Sequence, residues 1–165
     1  MPADARRYLA IYLNDHLAGS TGAIEMVERG AKQYEGSELG AFFSRIGTEI
    51  EEDRATLEAI MARNGIPQQA YKRAAAWIAE KAGRLKFNGA LLRRSPLTPL
   101  VELETLAVGI QGKHALWRAL QATPPDPETA AQVDYLVERA ERQFDAVEQH
   151  RIEVAREALS AARAP

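Results

Sequence analysis

The sequence predicts an all-α protein, and three observations support this. Alanine, the strongest helix former, occurs 30 times in 165 residues. Apolar residues recur every three or four positions through most of the chain, which is the period of an amphipathic helix. No segment alternates apolar and polar residues for long enough to predict a strand. The length corresponds to one domain over residues 1–165, which is large enough to bury a single core.

Two long helices are predicted in the first part of the chain. The first spans about residues 4–34, and Gly36 and Ser37 then interrupt the apolar period. The second helix spans 38–63. It ends before an Asn-Gly-Ile-Pro sequence, because a residue that tolerates positive φ followed by a proline is a typical helix stop.

Three further helices are predicted, over about 68–87, 99–121 and 127–160. The last two follow sequences in which a capping residue precedes a proline. Thr98 and Asp126 are the predicted N-caps, since their side chains can accept hydrogen bonds from the first free backbone N–H groups.

The arrangement of these helices predicts a four-helix bundle with a long crossover that carries a short extra helix. Tight turns join the first two long helices and the last two, so each pair is antiparallel. Together with this layout, the sequences 12–19 (YLNDHLAG) and 49–54 (EIEEDR) resemble a bacterial branch of the ferritin-like superfamily, over essentially the whole chain. The resemblance implies a ferritin-like fold.

Metal-binding members of this superfamily hold two metals in the middle of the bundle. Their ligands are a Glu from each of two helices and a Glu-x-x-His pair from each of the other two. This chain contains three histidines, at positions 16, 114 and 150, and none has a Glu three residues before it. The branch that it resembles is therefore one without the Glu-x-x-His di-iron motif.

Carboxylates nevertheless suggest a metal site. Residues can be counted outward along the helices from each of the two predicted turns. This count places six carboxylates at matching heights along the bundle axis. They are Glu25, Glu49, Glu52, Glu104, Asp145 and Glu148. Four of these side chains could form a dinuclear site for iron or manganese, which prefer carboxylate oxygens. The alternative is a solvated acidic face. Asp53 continues the apolar stripe of Ile46 and Ile50 better than Glu49 does, so the Glu49 side chain would point toward solvent.

Three polar residues lie beside or on apolar stripes and are candidates for the core. They are His16, Asp53 and His114. A buried carboxylate near a histidine must be hydrogen-bonded, because an unpaired buried charge is costly. These residues are predicted to form a polar network that fixes the helix register; a ligand-binding role and simple exposure are the alternatives.

Glycines interrupt two of the predicted helices in their middle. Gly19 and Gly22 lie in the first, and Gly109 and Gly112 lie in the helix predicted over 99–121. Each costs about 1 kcal/mol relative to alanine. We predict that they mark a close contact between helices or a narrow pocket.

Composition and charge exclude several classes of function. The chain has no cysteine and a formal net charge of −2, so it offers no thiolate metal site, disulfide or net positive field for nucleic acid. The predicted crossover is basic over 81–94, which indicates either a solvated face or a surface for an anionic partner. No leader or membrane span is predicted, so the expected location is cytoplasmic.

The sequence therefore leaves two main hypotheses. The first is a non-enzymatic binding or assembly protein, most simply a homodimer, with no predicted catalytic residue or membrane partner. The second is a carboxylate-rich protein that binds iron or manganese for redox chemistry or storage. A carrier of small molecules with a glycine-lined centre is a third possibility.

Overall fold

The computed structural model describes residues 2–68 and 97–160, and these residues form four helices and no strand. The helices are α1 (Ala3–Gln33), α2 (Glu38–Arg63), α3 (Thr98–Ala122) and α4 (Pro127–Ser160). Their bounds differ from the predicted ones by at most one residue. The short helix predicted over 68–87 and the basic stretch 81–94 lie outside the described residues, apart from Gln68.

The turn between α1 and α2 is tight because glycines stand at two positions. Gly36 has a φ of +80°, a conformation that favours glycine. A Cβ at Gly40 would lie 2.1 Å from the carbonyl oxygen of Tyr34, so a side chain there would displace the turn. The hydroxyl of Ser37 accepts a hydrogen bond from the Gly40 N–H at 3.1 Å and caps α2.

Of the two N-caps predicted from the sequence, one is confirmed and the other is wrong. Asp126 Oδ1 accepts a hydrogen bond from the Thr129 N–H at 2.9 Å, which confirms it as the cap of α4. The prediction that Thr98 caps α3 is wrong. The helix begins at Thr98 itself and its N-cap, Leu97, has no capping side chain. The Thr98 hydroxyl oxygen is buried without a hydrogen-bond partner in the described structure.

Contacts between helix ends define the topology. The Tyr34 hydroxyl, after α1, donates to Glu102 Oε2 near the start of α3 at 2.8 Å. Asn64, after α2, donates to Asp126 Oδ2 before α4 at 2.7 Å. Since α1 and α2 are antiparallel, α2 ends and α3 begins at opposite ends of the molecule. Residues 68 and 97 are thus separated by about the length of α2, or about 39 Å.

Each helix packs against two neighbours. Helix α1 contacts α2 and α3, and α4 contacts α3 and α2, so α2 and α3 occupy opposite corners of the bundle. None of the helices in residues 2–68 and 97–160 has the length and apolar character needed to cross a membrane.

The core consists of two apolar clusters, one toward each end of the bundle. The lower cluster lies at the end where α1 and α4 begin and includes Leu13, Ile60 and Trp117. The upper cluster, at the end where α2 begins, includes Phe43 and Leu103. Polar residues separate the two clusters at the middle of the bundle.

Candidate functional site

Every helix contributes one inward polar residue to the middle of the bundle. Thr21, Asp53 and Gln143 are 6%, 3% and 2% exposed. The side chain of Lys113 is 15% exposed. We call these four residues the central polar layer.

Helix periodicity explains why these side chains point inward. Asp53 lies between Ile50 and Leu57 on α2, and both of these are buried core residues. Lys113 follows Ile110 by three positions on α3, and Gln143 follows Ala140 by three on α4. Residues three or four apart share one face of a helix, so the apolar stripe of each helix carries its polar residue into the core.

Hydrogen bonds across the bundle join three members of the layer. Lys113 Nζ donates to both Asp53 Oδ2 and Gln143 Oε1. The side-chain amide of Gln143 donates to Asp53 Oδ2 at 3.1 Å and to Glu49 Oε2 at 3.0 Å. Lys113 and Asp53 belong to opposite helices, so this ion pair connects α3 to α2 through the centre.

Two arginines extend the layer toward its edges. Arg139 Nε lies 3.5 Å from Asp53 Oδ1, an oxygen with no hydrogen-bond partner in the described structure. Arg139 also donates to Glu52 Oε2. On the other side, Arg54 Nη1 donates to the Thr21 hydroxyl at 3.1 Å. Two cations, Lys113 and Arg139, therefore share the carboxylate of Asp53.

Burial lowers the pKa of the Lys113 ammonium group. The Asp53 carboxylate favours the charged form, but it offsets only part of the desolvation. Asp53 therefore stabilises the ammonium form of Lys113 against the cost of burial.

The three predicted core residues have separate positions. Asp53 is in the central polar layer. His16 is half-buried on α1 with its ring edge-on to Tyr12, at a centroid distance of 4.7 Å, and burial lowers its pKa. His114 lies at the surface between α3 and α4, with Nε2 3.2 Å from Glu141 Oε1. The structure does not bring the two histidines to Asp53.

The six predicted metal ligands do not converge. Glu25, Glu104 and Asp145 are exposed. Glu104 and Glu148 approach each other only through Arg151, which lies 3.7 Å from Glu104 Oε1 and donates to Glu148 at 2.6 Å. The outward direction of these side chains keeps them from the bundle centre.

Two of the six, Glu49 and Glu52, border the central polar layer. Their bonds to Gln143 and Arg139 place them beside Asp53. Within residues 2–68 and 97–160, however, no three His, Asp or Glu side chains are arranged to hold a metal ion. The residues at the centre do not fit a dinuclear metal site, because an ammonium and a guanidinium group occupy the charge-compensating positions around Asp53.

Three of the four predicted glycines make no close contact between helices. A Cβ at Gly19, Gly109 or Gly112 would meet no atom within 4 Å. Gly22 is half-buried. Close packing instead occurs at Gly30, where a Cβ would lie 2.9 Å from the Phe43 ring.

Lys113 and Gln143 were not predicted from the sequence. The candidates from the sequence are acidic residues and histidines, with His114 on α3. The spacing from Ile110 to Lys113 and on to Trp117 alternates three and four, which is the signal that identifies the inward position.

Comparisons with known proteins give no relative for this chain: no family model, curated protein or solved structure matches it.

Proposed function

We propose that the protein is a ferritin-like helical bundle that acts by binding or assembly rather than by catalysis. The observation that carries this proposal is the bonding of Lys113 at the centre of the bundle. Its ammonium group compensates Asp53 in the region where metal-binding members of the superfamily hold their metals.

The topology supports the ferritin-like part of the proposal. Neighbouring helices are antiparallel within each hairpin, and the connection between α2 and α3 runs from one end of the bundle to the other. A bundle with one long crossover is the arrangement of ferritin-like folds.

The chemistry of the central polar layer supports the non-catalytic part. A metal at such a site neutralises its carboxylate ligands, and here Lys113 and Arg139 do so from within the chain. A buried, paired network of this kind fixes which helix positions face each other, because a shift of register would leave a buried charge unpaired. Its role in this proposal is to hold the helices in register.

Metal uptake tests the proposal. The purified protein is incubated with excess Fe²⁺ or Mn²⁺ without oxygen and dialysed, and bound metal is counted by elemental analysis. We expect far less than one equivalent per chain and no rise in melting temperature, since a metal that does not bind the folded state cannot stabilise it.

Two variants would show where any bound metal lies. About two metals per chain would overturn the proposal. Loss of that metal in Glu104→Ala would place it at the predicted carboxylates, and loss in Asp53→Asn would place it at the central polar layer. The exposed Glu138→Ala is the matched control, because Glu138 belongs to neither group.

A further inference from the structure

The outward side of α3 carries an uncharged stripe along its length. Seven residues form this stripe, with spacings that alternate four and three. They are Val101, Thr105, Val108, Gly112, Ala115, Ala119 and Ala122. None is charged, all but Val101 and Ala119 are exposed, and Val108 is 72% exposed. We call this stripe the α3 outer face.

The spacing of the α3 outer face is the spacing of a coiled-coil seam. Positions that alternate four and three follow a heptad repeat, in which one helix packs along another. Helix α3 uses its opposite side, which includes Leu103, Leu106 and Ile110, for the core of its own chain. It therefore has two apolar sides, and only one of them is covered within the described residues.

Three exposed polar residues flank the α3 outer face at intervals of seven. They are Glu104, Gln111 and Arg118. In an antiparallel helix pair, flanking positions of this type on one helix face the same positions on the other. Centring the pair at Gln111 places Glu104 opposite Arg118 of a second copy, and twofold symmetry makes this contact twice. A parallel pair would not bring these two charges together.

The same register matches large residues with small ones. Facing positions along the seam are centred one residue before the flanking ones, so Val108 faces Gly112 of the second copy and Val101 faces Ala119. Gly112 has open space where a Cβ would lie, so it offers room for the valine side chain. The charges and the shapes thus favour one alignment of two identical helices.

We propose that the α3 outer face is a self-association surface, through which two copies of the chain pair antiparallel about a twofold axis at Gln111. This inference rests on the proposed function, since it names a second copy as the partner of an assembly protein. One helix pair buries a modest area, so the dimer dissociates on dilution.

Sedimentation velocity from about 1 to about 200 μM tests the surface. We expect the wild type to convert from monomer to dimer in this range. Val108→Glu weakens dimerisation at least about tenfold, because it puts a charge into the seam. Ala55→Glu, which adds the same charge at an exposed position of α2, leaves dimerisation unchanged.

A charge exchange tests the antiparallel register. Glu104→Arg and Arg118→Glu each place like charges opposite each other and weaken the dimer, and the double variant restores it. Circular dichroism and melting temperature establish that each variant is folded.

Three results would overturn the proposal: a wild type that stays monomeric, equal dimerisation by Val108→Glu and the wild type, or a double variant as weak as the single ones. A monomeric wild type would not decide the proposed function, which depends on metal uptake and not on sedimentation.

Discussion

At the scale of single residues, the burial of Asp53 determines how much its charge matters. Asp53 and Glu52 are adjacent on α2 and both contact Arg139, but their side chains are 3% and 59% exposed. Exposed ion pairs contribute little to stability because water solvates and screens the charges, whereas an unpaired buried charge is strongly destabilising.

This contrast gives a prediction with a matched pair of substitutions. Asp53→Asn leaves Lys113 and Arg139 without their shared carboxylate, and we expect the free energy of unfolding to fall by about 3 kcal/mol. Glu52→Gln is the same chemical change and is expected to lower it by less than about 1 kcal/mol. Urea denaturation at neutral pH measures both. Equal effects would contradict a structural role for the central polar layer.

At the scale of elements, the start of α4 is fixed by one side chain. Asp126 accepts hydrogen bonds from the N–H and hydroxyl of Thr129, at 2.9 and 2.7 Å, and from Asn64 at the end of α2. Desolvation raises the pKa of Asp126. These hydrogen bonds and the nearby Arg63 outweigh it and lower the pKa from 3.8 to about 2. One residue thus caps α4 and ties it to α2.

We expect Asp126→Ala to lower the free energy of unfolding by about 2 kcal/mol at pH 6, near the upper end of the range for the loss of an N-cap. The control is Asp145→Ala, at an exposed position later in α4, which is expected to change it by less than about 0.5 kcal/mol. Thermal and urea unfolding measure both changes.

The effect of Asp126 also depends on pH. Because its pKa is lowered from 3.8 in the folded state, the carboxylate stabilises the fold fully only well above that value, from about pH 5 upward. This stabilisation is lost as the pH falls toward 2, where the folded carboxylate also protonates. The difference between wild type and Asp126→Ala is therefore expected to shrink between about pH 5 and about pH 2. A difference that is constant over this range would show that the charge of Asp126 is not what stabilises the helix start.

At the scale of the whole molecule, the central polar layer divides the interior into two apolar clusters. Such a layer is costly to desolvate and is compensated only when all of its members are present. An apolar core of similar volume has no such cost, but it also lacks the polar contacts that select one helix register.

We expect the triple variant Asp53→Leu, Lys113→Met and Gln143→Leu to be at least as stable as the wild type, and up to about 4 kcal/mol more stable. Arg139 loses Asp53 in this variant but keeps its hydrogen bonds to Glu52 and to the Glu49 carbonyl oxygen. Lys113→Met alone is expected to be destabilising, because it removes one of the two cations that compensate Asp53 and the donor to Gln143 Oε1. Urea denaturation compares the two, and amide hydrogen exchange reports whether the triple variant keeps one packed state. A triple variant less stable than the single one would contradict this account of the layer.

The sequence by itself determined the helices and most of their ends. The apolar period gave the bounds of α1 to α4 within one residue, and the Asp-Pro pair at 126–127 identified the cap of α4, because these signals are local. The N-cap of α3 is predicted at Thr98 and lies one residue earlier, at Leu97. The proline at 99 does not distinguish the two, because it fits either of the first two helical positions.

Only the tertiary structure decided which polar residues meet. Periodicity predicted that Asp53 points inward, but its partners come from helices that are 60 and 90 positions away in the chain. Whether an inward lysine is tolerated depends on a carboxylate supplied from the opposite corner of the bundle, and no local pattern contains that information. The charge balance at the centre exists only once the four helices are packed, and it replaces the predicted carboxylate cluster with an ion pair.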